Sequence, residues 1–159
     1  MAISGSSSRS TVASLAGFRP RYPELSGLLL KLRAGERVLV AGALLESVGR
    51  PSRLRVMTPD TPILRLRDAI DPTEATTPVS RLAHLVQMVV AGILPESDAR
   101  EECHTAISAL ASAFVDPGDR ILVERISADL FAGRYYPALR RLVDLRQREA
   151  AILALAKAS

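Results

Sequence analysis

The chain is poor in the residue types that carry most recognisable chemistry. Its one cysteine, Cys103, rules out an internal disulfide and a cysteine metal cluster, and it reads as a small helix residue facing a core. Two histidines, His84 and His104, fall in separate predicted helices without acidic residues at ligand spacing, so no metal and no cofactor is expected. His84 reads as a core residue. Tryptophan is absent and aromatics make up 4 % of the chain. No glycine-rich phosphate loop joins a strand to a helix, and nothing resembles a nucleophile elbow. With no catalytic constellation visible, the expectation is a protein that is not an enzyme. No apolar run approaches the ~18 residues needed to span a bilayer. The N-terminus has six serines in its first 14 residues and no continuous apolar segment of the signal-peptide kind, so a cytoplasmic location is expected.

What is present is an apolar chain with uneven charge. Hydrophobic residues make up 48 % of 159, enough for a folded core. Three regions follow from pattern: a disordered, basic, serine-rich tail over 1–27, a small β module over 28–70, and a helical module over 71–159. The β module carries eight basic and four acidic residues, residues 71–132 four basic and ten acidic, and residues 133–159 six basic and two acidic. A basic sheet, an acidic middle and a basic last helix suggest two partners, or a partner and a self-contact.

The β module is the centre of the chain. Leu28, Leu30 and Leu32 alternate with Leu29, Lys31 and Arg33; Leu54 and Val56 alternate with Arg53 and Arg55; Leu64 and Leu66 alternate with Arg65 and Arg67. A period of two puts one set toward a core and the other into water. Ala34-Gly35-Glu36, Gly42, Gly49-Arg50-Pro51-Ser52 and Thr58-Pro59-Asp60-Thr61-Pro62 supply the reversals. Lys31, Arg33, Arg53, Arg55, Arg65 and Arg67 are then the outward residues, and all six are basic. Such a face is either a solvated surface or a grip for phosphates, with Arg able also to reach base edges. No aromatic interrupts it, so base stacking on the sheet is not expected. Four or five short strands of this kind have open edges and little core, and need the helices or a second copy to cover them; a homodimer is expected.

Helices follow Asp71-Pro72. Thr77-Pro78 gives an N-cap and a proline at the first helical position, and Leu82, Leu85, Val86, Val89 and Val90 recur at helical spacing up to Gly92. Pro95 to Asp98 opens a second helix with Ser97 as cap and Ala106, Ile107, Leu110, Ala113 and Phe114 inward. Asp116-Pro117 caps a third, with Ile121, Leu122, Ile126, Leu130 and Phe131 inward. A fourth spans about 135–156, burying Leu139, Leu142, Val143, Ile152 and Leu153 and showing Arg140, Arg141, Arg146 and Arg148 to solvent. The class is α+β: a small antiparallel β module followed by a C-terminal bundle of about four helices. Gly133-Arg134-Tyr135-Tyr136-Pro137-Ala138-Leu139 has the G-x-Y-x-x-A-L pattern of a tetratricopeptide hairpin, but one copy makes no solenoid. It reads as a packing device between helices. Tyr135, Tyr136, Arg140 and Arg141 are the candidate surface for a protein partner.

These residues resemble a known family. Leu32-Arg33-Ala34-Gly35-Glu36 looks like the L-K-P-G-E opening of the FlbT flagellar regulators. Pro62 to Ile70 is similar to that family's P-I-L-R-E-K-D-I-M, Thr77-Pro78 through Met88 to its T-P-A-R-R-I and V-Q-L-M segments, and Gly133 to Leu139 to its G-x-Y-Y-x-A-L. Ala34, Leu66 and Pro137 depart from the pattern. The resemblance implies post-transcriptional control of flagellin synthesis, by binding the 5′ leader of flagellin mRNA and altering its translation and decay, alongside the small flagellar protein FlaF. It leaves repression and activation both open. A shorter likeness is to the CsrA RNA-binding module, whose last strand resembles Ile63 to Ile70, with Arg67 at its RNA-contacting arginine. The rival to RNA binding is a protein-binding adaptor or chaperone-like partner in flagellar assembly, acting on RNA indirectly.

Overall fold

The protein's structure, a computed structural model, describes residues 27–159; the expected tail lies, apart from Gly27, outside the described residues. Five short strands come first: β1 (Leu28–Leu32), β2 (Arg37–Val40), β3 (Ala43–Glu46), β4 (Ser52–Val56) and β5 (Ile63–Arg65). Four helices follow: α1 (Pro78–Val90), α2 (Glu96–Ala113), α3 (Pro117–Phe131) and α4 (Tyr135–Lys157). The α+β class with segregated elements is what the change of period from two to 3.6 implies.

The strands make two small antiparallel sheets. β1 pairs with β4, and β2 lies between β3 and β5. The sheets face each other around Leu30, Leu32 and Val38, with Val40, Val56 and Ile63 packed against them. Alternation sends Leu30 and Leu32 inward and leaves Lys31 outside. The β2–β3 reversal has two central residues at positive φ, Ala41 at 48° and Gly42 at 83°. That is the backbone twist two-residue hairpins prefer, and an alanine there is strained. Ser47 locks the opposite end: its N–H donates to the Glu36 carbonyl at 3.0 Å and its hydroxyl to the Arg50 carbonyl at 2.9 Å.

The helices surround a larger core containing Leu82, Val86, Ile107, Ile126, Leu142 and Leu145. Thr77 caps α1 and forms a reciprocal capping box with Ser80. Asp116 caps α3, accepting from the Gly118 and Asp119 N–H groups. Ser97 is not a cap: α2 begins one residue earlier, at Glu96, and Pro95 takes the cap position without a side-chain bond. Ile121 and Phe131 are exposed, the inward face of α3 being Val123, Ile126 and Leu130. Val143 is exposed too, on the outward side of α4 beside buried Leu142, and so are Ile152 and Leu153, where α4 runs past the bundle that covers it. His84 is half-buried rather than core, while Cys103 is fully buried, its thiol pushed up to about 11 by desolvation and then by Glu102.

The link between modules is a polar clamp. Buried Gln87 of α1 accepts from the Ile70 N–H at 2.8 Å and donates to the Ile70 carbonyl at 3.1 Å, as a neighbouring strand would. Leu64 and Ile70 add the apolar contact with the helical core.

Candidate nucleic-acid interface

Strand pairing decides which basic residues share a surface. In the β1–β4 register Lys31 lies directly opposite Arg53, and Leu29 opposite Arg55. Side chains opposite one another in an antiparallel pair leave the same face, as do those two residues apart. Lys31, Arg53 and Arg55 therefore stand together on one exposed face of a two-stranded ribbon, with Arg33 exposed just beyond it. Gly27 makes room for one of them: a Cβ there would come within 2.6 Å of the Arg55 Cγ, so the arginine stem passes over the glycine. Among the described residues none of these four side chains has an acidic partner within salt-bridge distance.

Arg65 and Arg67 are placed differently. β5 ends at Arg65, and Leu66–Asp68 closes into a 3-10 turn, so the expected alternation through Arg67 does not continue and Leu66 is exposed. Arg65 lies opposite Val38, on the sheet face that carries the small core. Its guanidinium reaches the Glu36 Oε1 at 2.5 Å and the Lys31 carbonyl at 3.2 Å, and Arg67 approaches the same carboxylate at 3.6 Å. The Glu36 carboxyl is held below its ordinary range, first by the Arg33 N–H that donates to it, with Arg65 and Arg67 adding to the effect against the opposing cost of desolvation. The pair is thus a clamp on the turn between β1 and β2. Glu36 is their counter-charge, which alternation along β5 does not reveal: its bond to the Arg33 N–H is local to the turn, but its partner arginines come from far along the chain.

The proposed partner surface on α4 divides in the same way. Tyr135 is buried in the helical core and offers no surface. Arg141 and Arg134 both pair with Asp129 of α3, which is 3 % exposed. Arg148 donates to buried Asp119 at 2.7 Å. Arg140 is exposed and Tyr136 half-buried. Two of the four arginines read as the solvent face of α4 therefore tie it to α3. Glu149 ties it to α1, accepting from the Thr77 hydroxyl at 2.5 Å and the Val79 N–H at 3.2 Å. Among the described residues no group of three or more metal-ligating side chains comes together, and no helix is long and apolar enough to cross a membrane.

An antiparallel β module feeding a four-helix bundle defines a protein of α+β class, with a cationic ribbon that has no acidic partner among the described residues. The profile of the family described as flagellar protein FlbT matches residues 28–153. The chain belongs to the FlbT family. It is 34 % identical over 134 residues to the "Probable flagellum biosynthesis repressor protein FlbT" of Allorhizobium ampelinum, covering 80 % of this chain and 85 % of that one. Proteins of the same name from Rhizobium leguminosarum bv. trifolii and Brucella anthropi are 30 % and 28 % identical, over 80 % and 79 % of this chain and 85 % and 82 % of theirs. These are the names of a regulator of flagellar synthesis, not of an enzyme. No solved structure matches the chain significantly.

Proposed function

We propose that this protein represses flagellar biosynthesis after transcription, by binding the 5′ leader of flagellin mRNA in the cytoplasm through the β1–β4 ribbon. The observation that carries this reading is the pairing of Lys31 with Arg53. Like charges directly opposite in a sheet destabilise it, and here no acidic side chain among the described residues offsets the cost. An anionic backbone would. Because the strands contain no aromatic residue, affinity rests on phosphates rather than stacking, and must fall steeply with salt. Lys31, Arg33, Arg53 and Arg55 are the phosphate contacts in this reading, and Arg65 and Arg67 hold the ribbon's turn in shape. A FlaF-like flagellar protein is the partner proposed for the helical module, at the side where Tyr136 and Arg140 can be reached.

The test is binding of a flagellin leader RNA over a salt series, with circular dichroism to check folding. Lys31→Ala, Arg53→Ala and Arg55→Ala each lower affinity for all RNA sequences and reduce the log–log salt slope by about one unit or less per contact. Arg65→Ala changes stability more than slope. If a folded Arg53→Ala/Arg55→Ala protein binds like the parent, the ribbon is a solvated surface and the adaptor reading takes its place.

A further inference from the structure

The last two turns of α4 stand outside everything the proposed function uses. From Ala150 to Ala156 the sequence is Ala-Ala-Ile-Leu-Ala-Leu-Ala, apolar on every side of the helix, and all of it is exposed. Leu155 is 72 % exposed, Ile152 48 % and Leu153 42 %. A helix that is apolar all round is normally buried. Its own bundle covers part of it: Ile152 and Leu155 line a groove of about 550 Å³ with Phe114 and Val115 of the α2–α3 connection. Leu153 lies between that groove, whose edge it also lines, and a shallow recess beside Thr77 and Val143, and neither covers it.

The side that carries Leu153 has a symmetric charge pattern. Glu149, Ala150, Leu153, Ala156 and Lys157 follow one another at i, i+1, i+4, i+7 and i+8, which places them on one face of the helix. Glu149 and Lys157 sit four residues before and after Leu153. If a second α4 packs antiparallel across a two-fold axis at Leu153, each Lys157 meets a Glu149, each Ala150 meets an Ala156, and Leu153 meets its copy. The alanines let the helices approach closely on both sides of the leucine pair. A parallel arrangement would set like charges together. The Glu149 carboxylate already accepts two bonds from the start of α1 and retains lone pairs for an ammonium.

We propose that this overhang is a self-association surface, on which a second copy of the chain docks its own α4 antiparallel about Leu153. The interface is isologous, as a two-fold requires.

Sedimentation of the full chain across the micromolar range tests it, beside three variants checked by circular dichroism. The parent sediments as a concentration-dependent dimer. Leu153→Glu puts two carboxylates face to face on the axis and gives a folded monomer. Lys157→Glu weakens the dimer several-fold, and more so at low salt. Leu153→Cys forms a covalent dimer under mild oxidation, while Val143→Cys on a neighbouring face does not; native Cys103 is buried and gives no background. A parent that stays monomeric overturns the proposal and leaves the overhang for another protein's helix. A dimer that survives Leu153→Glu overturns it in favour of the open strand edges, and failure of Leu153→Cys to cross-link overturns the antiparallel register.

Discussion

The two modules of this protein use charge in opposite ways. In the helices buried Asp119 is matched to Arg148, buried Asp129 to Arg134 and Arg141, and half-buried Glu149 to the start of α1. In the sheet, Glu36 serves two arginines, and Lys31, Arg33, Arg53 and Arg55 are left without an acid among the described residues. The same division holds for packing. The helical core is large and includes Leu82, Ile107, Ile126, Leu142 and Leu145, all essentially inaccessible, whereas the sheets bury Leu30, Leu32 and Val38 and little else. One module therefore spends its charges on its own stability. The other leaves those four cations without an acidic partner among the described residues, around a much smaller core.

The largest expected effects are in the cores. Leu142→Ala removes a side chain with no accessible surface and should destabilise by about 3–5 kcal/mol, with loss of helix signal. Leu30→Ala, in a cluster that can collapse more easily, should cost about 2 kcal/mol and leave the helices folded. Thermal and urea unfolding, followed both by helix circular dichroism and by amide exchange in β1 and β4, separates the two. Equal losses with coincident transitions would mean that the Gln87–Ile70 clamp couples the modules into one cooperative unit.

Asp129→Ala should come next. It leaves Arg134 and Arg141 without their shared acceptor, but both are partly exposed and can turn to water. The cost expected is about 1–2 kcal/mol, read as a shift in denaturant midpoint. The corresponding change in the sheet, Glu36→Gln, should be smaller and pH-dependent. The folded carboxyl lies below its ordinary value of 4.5. It therefore contributes stability that is present above that value and is lost as pH falls through the folded value. Acid titration of the parent should loosen β1 and β2 below pH 4.5 before the helices unfold, and Glu36→Gln should remove that step.

What was legible in the sequence is what is local. Thr77 and Asp116 were identifiable as caps because a cap bonds within three residues of itself. Leu30 and Leu32 could be placed inside and Lys31, Arg53 and Arg55 outside because alternation is a property of one strand. Alternation puts Arg65 and Arg67 outward as well. Arg67 is exposed, but half-buried Arg65 faces the small core and both reach Glu36. That outcome depends on the register of β5 against β2, on the 3-10 turn at Leu66, and on a glutamate 29 residues away from Arg65. Ile152 and Leu153 failed for a related reason: helical spacing shows that they continue the stripe of Leu142 and Leu145, but not that α1 and α3 begin too early to cover them. The FlbT likeness supplied the family from four short segments without any of this geometry.

The smallest effect expected concerns the one polar atom that breaks the helical module's rule. The Tyr135 hydroxyl is, among the described residues, a buried side-chain oxygen without a hydrogen-bond partner, while its ring packs in the helical core. Its ionisation is pushed up, chiefly by burial and further by Cys103 and Glu96, while nearby Arg100, which makes no hydrogen bond of normal geometry to it, opposes the shift. An unpaired buried hydroxyl carries a desolvation cost with no bond to offset it, so removing the oxygen alone relieves that cost and leaves the packing intact. Tyr135→Phe should therefore leave stability unchanged or raise it by up to ~1 kcal/mol, measured as the urea midpoint at neutral pH. A loss of more than ~1 kcal/mol would mean that the hydroxyl does have a partner in solution, such as an ordered water. The helical module would then pair every buried polar group it has, and the contrast with the sheet's unpaired cations would be complete.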